Sequence, residues 1–238
     1  MRVDNHTIDS PDDRRLELTA ASQRLLGDTI TLGDNDWQVL SALPGWSRAH
    51  VATHLAMQAE ALAAMARDIA TTHQPVTWRT LHSDTDLHRG AHRGALELQE
   101  ALDESCASLM AAFDQMDPAA WATTLRTSQG DLPASALVMA RLNEVVLHHA
   151  DLRLGFDLAD LDAGLTRALL QWNLFRTTPR FSQVQLKVIT DQGFTAIVGQ
   201  GPLVTVRGSE TGLLGWITGR KDSSAVLGAE DLDLAGPL

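Results

Sequence analysis

One stretch constrains the fold more than any other. The run Arg141-Leu-Asn-Glu-Val-Val-Leu-His-His-Ala-Asp151, preceded by Met139 and Ala140, is apolar on almost every helical face yet carries two acids and two imidazoles. A helix of that kind has to be surrounded by other elements, so the spacing predicts a buried helix inside a helical assembly. Glu144 and His148 stand one turn apart and share a face. On a wet surface such a pair is an ordinary polar contact worth a few tenths of a kcal/mol. In a core, a carboxylate and an imidazole are costly unless paired or bound to a metal. A second pair at the same spacing, His50 and His54, lies in Ser47-Arg-Ala-His-Val-Ala-Thr-His-Leu-Ala56. Two facing helices could thus present His, Glu and His to one ion, although spacing does not choose between His50 and His54. Three ligands with a fourth position open is the arrangement of catalytic zinc.

The rest of the chain fits such an assembly. Pro11 with Asp12 and Asp13 opens a helix capped by Ser10 and reaching about Leu26. The turn-rich Gly27 to Gly45 segment holds Trp37, Leu40 and Leu43 and is expected to be a loop with a short helical piece. Ser47 caps a helix to about Thr71, with Val51, Leu55, Leu62, Met65 and Ile69 near helical spacing. His73 to His88 is polar and broken by Pro75. A single long helix is expected from Arg89 to Gln115, stopped before Asp117-Pro118, and Gln129-Gly130-Asp131 marks a turn. Four long helices predict an antiparallel bundle, whose interior is where facing helices build metal sites. Beyond residue 180 the pattern changes. Val184 to Thr190, Phe194 to Val198 and Leu203 to Arg207 alternate or are β-branched, punctuated by Gly193, Gly199, Gly201 and Gly208. Helical spacing returns over Ser209 to Thr218. The expected organisation is α+β: a bundle over 1–160, then a linking helix and small α+β domain over 161–238.

Composition bounds the partners. The chain has 238 residues, and 44% hydrophobic content allows a substantial core. No apolar run approaches the roughly 18 residues that span a membrane, and the N-terminus lacks the apolar core of a signal peptide, which predicts a cytoplasmic protein. A net charge of −11 argues against nucleic acid and anionic membranes. The single cysteine, Cys106, excludes an internal disulfide and a cysteine-based zinc cluster, so any metal here needs His and carboxylate ligands. Lys187 and Lys221 are the only lysines, leaving guanidinium to bind any anionic substrate.

Four dispersed motifs carry a resemblance that covers nearly the whole chain. They are Leu43-Pro-Gly-Trp-Ser-Arg-Ala-His-Val-Ala-Thr-His54, Gln129-Gly-Asp-Leu-Pro-Ala-Ser135, Arg141 with Glu144 to His148 and Asp151, and Gly208 with Leu213-Leu-Gly-Trp-Ile-Thr-Gly-Arg220. Together they resemble the mycothiol-dependent maleylpyruvate isomerase family, a DinB-like four-helix bundle joined to a small α+β domain. The resemblance implies that His54, not His50, joins Glu144 and His148 as zinc ligand. It implies that Arg220 is the essential arginine from the second domain; Arg141, the candidate cofactor-binding residue, either lies near the metal one turn before Glu144 or pairs with an acid. It further implies zinc and mycothiol as cofactors, an anionic substrate of aromatic catabolism such as the gentisate pathway, and a monomer or weak homo-oligomer. The expected chemistry is thiolate addition to maleylpyruvate, bond rotation and elimination to fumarylpyruvate. The alternative is a metal-dependent mycothiol S-transferase on the same scaffold. Other candidates have plainer expectations. His50 packs at its helix start, His149 sits in the core, His88 and His92 are solvated, and Cys106 is a packed thiol. Asp151 either orients a ligand imidazole or caps the helix.

Overall fold

The structure is a computed structural model that describes residues 11–78, 83–230 and 232. Its contacts divide the chain into two compact units at the junction of Phe156 and Asp157, a few residues before the boundary expected at 160. The first unit is helical. Helix α1 (Pro11–Thr29) is followed by the one-turn α2 (Asp34–Trp37) and by α3 (Arg48–Thr72), the longest helix described. After strand β1 (Val76–Thr77) come α4 (Asp84–Gly90), α5 (Ala95–Asp114) and α6 (Pro118–Ala122). Strands β2 (Thr124–Thr127) and β3 (Gly130–Pro133) lead into α7 (Ala136–Asp151). Ser10, the expected cap of α1, lies outside the described residues.

Four helices, α1, α3, α5 and α7, pack as the bundle, with α3 against α5 and α7, and α1 against α7. The seam follows helical periodicity: Leu55, Leu62 and Ile69 from α3, and Leu98, Leu102 and Leu109 from α5, are at most 1% exposed. Fourteen of the sixteen residues of α7 are buried, as its composition demands.

One local expectation is corrected, and one element is new. The helix read as continuous from Arg89 to Gln115 is two, α4 and α5, separated by a turn at Ala91 to Gly94. Gly94 is the N-cap of α5, and Glu97 closes its first turn by accepting the Gly94 N–H at 2.9 Å. The Gln129 turn joins a hairpin, β2 to β3 antiparallel, and β1 adds parallel to β2, so the helical unit holds a small sheet.

The second unit builds one layer of helix on one sheet. Helix α8 (Ala163–Thr177) precedes β4 (Gln185–Thr190), β5 (Thr195–Gly199) and β6 (Leu203–Gly208), and α9 (Glu210–Ile217) follows. The strand order is β5-β4-β6, with β4 antiparallel to β5 and parallel to β6. Alternation puts Leu186, Val188 and Thr190 of β4 inward. Leu186 and Val188 meet Leu170 and Leu174 of α8 and Leu213, Trp216 and Ile217 of α9 in one core. Gly199 has φ 84°, and a Cβ there would lie 2.3 Å from the Val184 carbonyl, so only glycine fits. Among the described residues no helix is long and apolar enough to cross a membrane.

Candidate metal centre

The loop before α3 fixes where its first turns stand. Gly45 takes φ 78°, Ser41 donates its N–H to the Trp46 carbonyl at 2.9 Å, and Ser47 becomes the N-cap. The loop is tied to the end of α7, because Ala42 donates to the Asp151 carbonyl at 2.8 Å and Arg48 Nε to that of Leu152 at 2.8 Å. These bonds hold the N-terminal half of α3 beside the C-terminal half of α7, which is the level of the candidate ligands.

There three donors converge. Glu144 Oε2 lies 3.1 Å from His54 Nε2 and 3.3 Å from His148 Nε2. The two imidazole rings meet edge to face with centroids 4.8 Å apart. Side-chain exposures of 20% for His54 and 15% for Glu144, against 7% for His148, leave the cluster open on one side. His148 Nδ1 sits 2.8 Å from Asp151 Oδ2, and Asp151 is 1% exposed. Burial disfavours the charged imidazole of His148, but the Asp151 and Glu144 carboxylates outweigh it and raise its pKa above the ordinary 6.5.

The donor chemistry fits a divalent ion. With Nδ1–H donated to Asp151, a neutral His148 would turn the lone pair of Nε2 toward a carboxylate oxygen. Electron-rich atoms at such distances need a proton or a cation between them. Two imidazole nitrogens and one carboxylate, the first imidazole oriented by a buried acid, form a donor set suited to zinc. Among the described residues this is the one group of three such side chains close enough to share an ion.

The remaining candidates separate. His50 serves the start of α3: its Nδ1 accepts from the Ser47 N–H at 3.3 Å, and its Nε2 lies 3.0 Å from His88 Nδ1. The pKa of His50 is lowered, first by burial and then by His88 and His92. His149 is buried, bonded to Asp28 at 2.9 Å and stacked on Phe156. Its pKa is lowered, chiefly by burial, with Asp28 opposing. Cys106 is a buried free thiol. Arg141, the candidate for cofactor binding, is 1% exposed, and its Nη1 donates to the Leu55 carbonyl at 2.7 Å and to Gln58 Oε1 at 2.8 Å. Arg220 belongs to the second unit, after Gly219 (φ 74°) at the end of α9, where its Nη1 donates to the Thr218 carbonyl at 3.0 Å.

Sequence reasoning passed over Trp46. Its half-buried ring stands 5.6 Å from that of His54 and 6.3 Å from that of His50. An aromatic residue immediately before a helix N-cap was the available signal, since that position packs onto the first turns.

Comparison with known proteins gives a consistent picture. A family model described as the mycothiol maleylpyruvate isomerase N-terminal domain matches residues 18–153. Two solved structures, of the mycothiol-dependent maleylpyruvate isomerase and of a histidine-to-alanine mutant, are each 22% identical to this chain over 96% of both chains. Their TM-scores are 0.78 and 0.77, a likeness of fold. No curated protein matches the sequence.

Proposed function

The chain belongs to the mycothiol maleylpyruvate isomerase N-terminal domain family, and from that membership and the converging donors we propose that it is a metal- and mycothiol-dependent isomerase converting maleylpyruvate into fumarylpyruvate. The observation that carries the reading is the meeting of His54, Glu144 and His148 from two helices, with one side open. In this reading the isomerisation proceeds by thiolate addition across the conjugated cis double bond, rotation about the resulting single bond, and elimination.

The three side chains would hold the ion, zinc by their chemistry, and when bound it would lower the pKa of a coordinated thiol so that thiolate exists near neutral pH. Asp151 keeps the His148 ring in the tautomer that offers Nε2. Trp46 gives the His54 side of the centre an apolar wall that restricts water. Arg220 is the proposed catalytic arginine. Its guanidinium is always charged, can grip a carboxylate with two parallel bonds, and can stabilise the enolate that addition creates. The proposed partners are an anionic diacid and a small thiol, in the cytoplasm.

Metal analysis combined with a substrate assay tests the reading. About one divalent metal per chain is expected in wild type and none in His54→Ala, with maleylpyruvate isomerised only when mycothiol is added. Mycothiol transfer to electrophiles without isomerisation would replace the isomerase by an S-transferase. A metal-free wild type would remove the site assignment altogether.

A further inference from the structure

Arg141 is a buried cation in a place that ordinary packing does not explain. Long charged side chains rarely lie fully buried unless paired, yet among the described residues no carboxylate pairs with this one. Its hydrogen-bond acceptors are uncharged: the Leu55 carbonyl and Gln58 Oε1 on Nη1, and Cys106 Sγ at 3.5 Å from Nη2. Arg141, Glu144 and His148 follow helical spacing along one stripe of α7. Facing them on α3, His54 and Gln58 are one turn apart, with Leu55 next to His54. The guanidinium therefore lies one turn from the ligand cluster and ties α7 to α3 beside the residue that bears His54.

We propose that Arg141 is a positioning residue for the metal centre. By spanning from α7 to the Leu55 carbonyl and Gln58, it fixes the separation and rotation of the two helices at the ligand level. The three donor atoms are thus held converging before an ion arrives. A ligand set assembled in advance binds more tightly, because the metal does not have to order it. Lysine cannot replace this function: Nη1 serves the Leu55 carbonyl and Gln58 while Nη2 reaches Cys106 Sγ, and an ammonium offers one nitrogen in place of these two. The inference rests on the metal reading above.

The test uses metal-free full-length protein titrated with Co²⁺ against a chelator, with the visible ligand-field spectrum as a record of coordination geometry. Arg141→Lys and Arg141→Met should bind Co²⁺ about 10- to 100-fold more weakly than wild type, the range seen when a ligand's support is removed, and with altered spectra. If either variant fails to fold, Gln58→Ala, which removes one acceptor, should move affinity the same way by a smaller factor. A role confined to stability would lower the melting temperature and leave Co²⁺ affinity and spectrum as in wild type, and that result overturns the proposal. Wild type that binds no Co²⁺ would overturn the metal reading itself, an outcome visible before any variant is compared.

Discussion

His148 sets Nδ1 against Asp151 and Nε2 against Glu144, so the neutral ring that donates to Asp151 would turn a lone pair toward Glu144. Asp151→Asn keeps an acceptor at that place but loses the charge. Metal affinity should fall by about 10- to 100-fold in a chelator competition, and an unchanged affinity would reduce Asp151 to a packing residue. His50 shows the contrasting case of an imidazole taken up by local structure. Its folded pKa is below 6.5, so as pH falls the unfolded chain takes the proton first. The contribution of His50 to stability is therefore complete above pH 6.5 and is lost as pH falls through the lowered folded value. His50→Gln retains a capping-box residue at the same helical position. Between roughly pH 7 and pH 5 the melting temperature of wild type should drop more steeply than that of His50→Gln. Parallel profiles would mean that the pair with His88 does not resist protonation.

At the scale of elements, the candidate ligand cluster depends on how closely α3 is approached by its neighbours. Helix α4 comes close enough at Gly90 that an added Cβ would lie 2.3 Å from Thr53 Cγ2, one residue before His54. Thr53 is 3% exposed and β-branched, hence stiff. Gly90→Ala should destabilise the protein by about 1–3 kcal/mol, the usual cost of overpacking. Adding Thr53→Ala should recover a good part of that, giving a coupling of at least about 0.5 kcal/mol in denaturant unfolding. Strict additivity of the two substitutions would show that the contact is not what sets the packing of α4. The same contact explains why helical periodicity through Arg89 to Gln115 misled. The pattern reports an apolar face but cannot report that Gly90 must meet Thr53, nor that Gly94 and Glu97 cap a new helix.

For the whole molecule, the decisive prediction concerns a residue from the second unit. Arg220→Ala should keep fold and metal while turnover falls by roughly two orders of magnitude or more, the scale of losing an oxyanion donor. Near-normal kinetics with full metal content would leave the second unit without a catalytic part and favour S-transfer. The bundle, the strands after residue 180 and the pairing of Glu144 with His148 were legible in the sequence, because helical and strand periodicities report which face is buried. Spacing left His50 and His54 equivalent, and the resemblance to a known family chose between them. Tertiary structure alone gave the physical separation: the Ser47 cap and His88 hold His50, while Glu144 faces His54. It alone also turned Arg141 inward, onto a backbone carbonyl 86 residues away in the chain. Local pattern encodes which face a residue occupies, but the partner that face meets is set by the packing of helices distant in sequence.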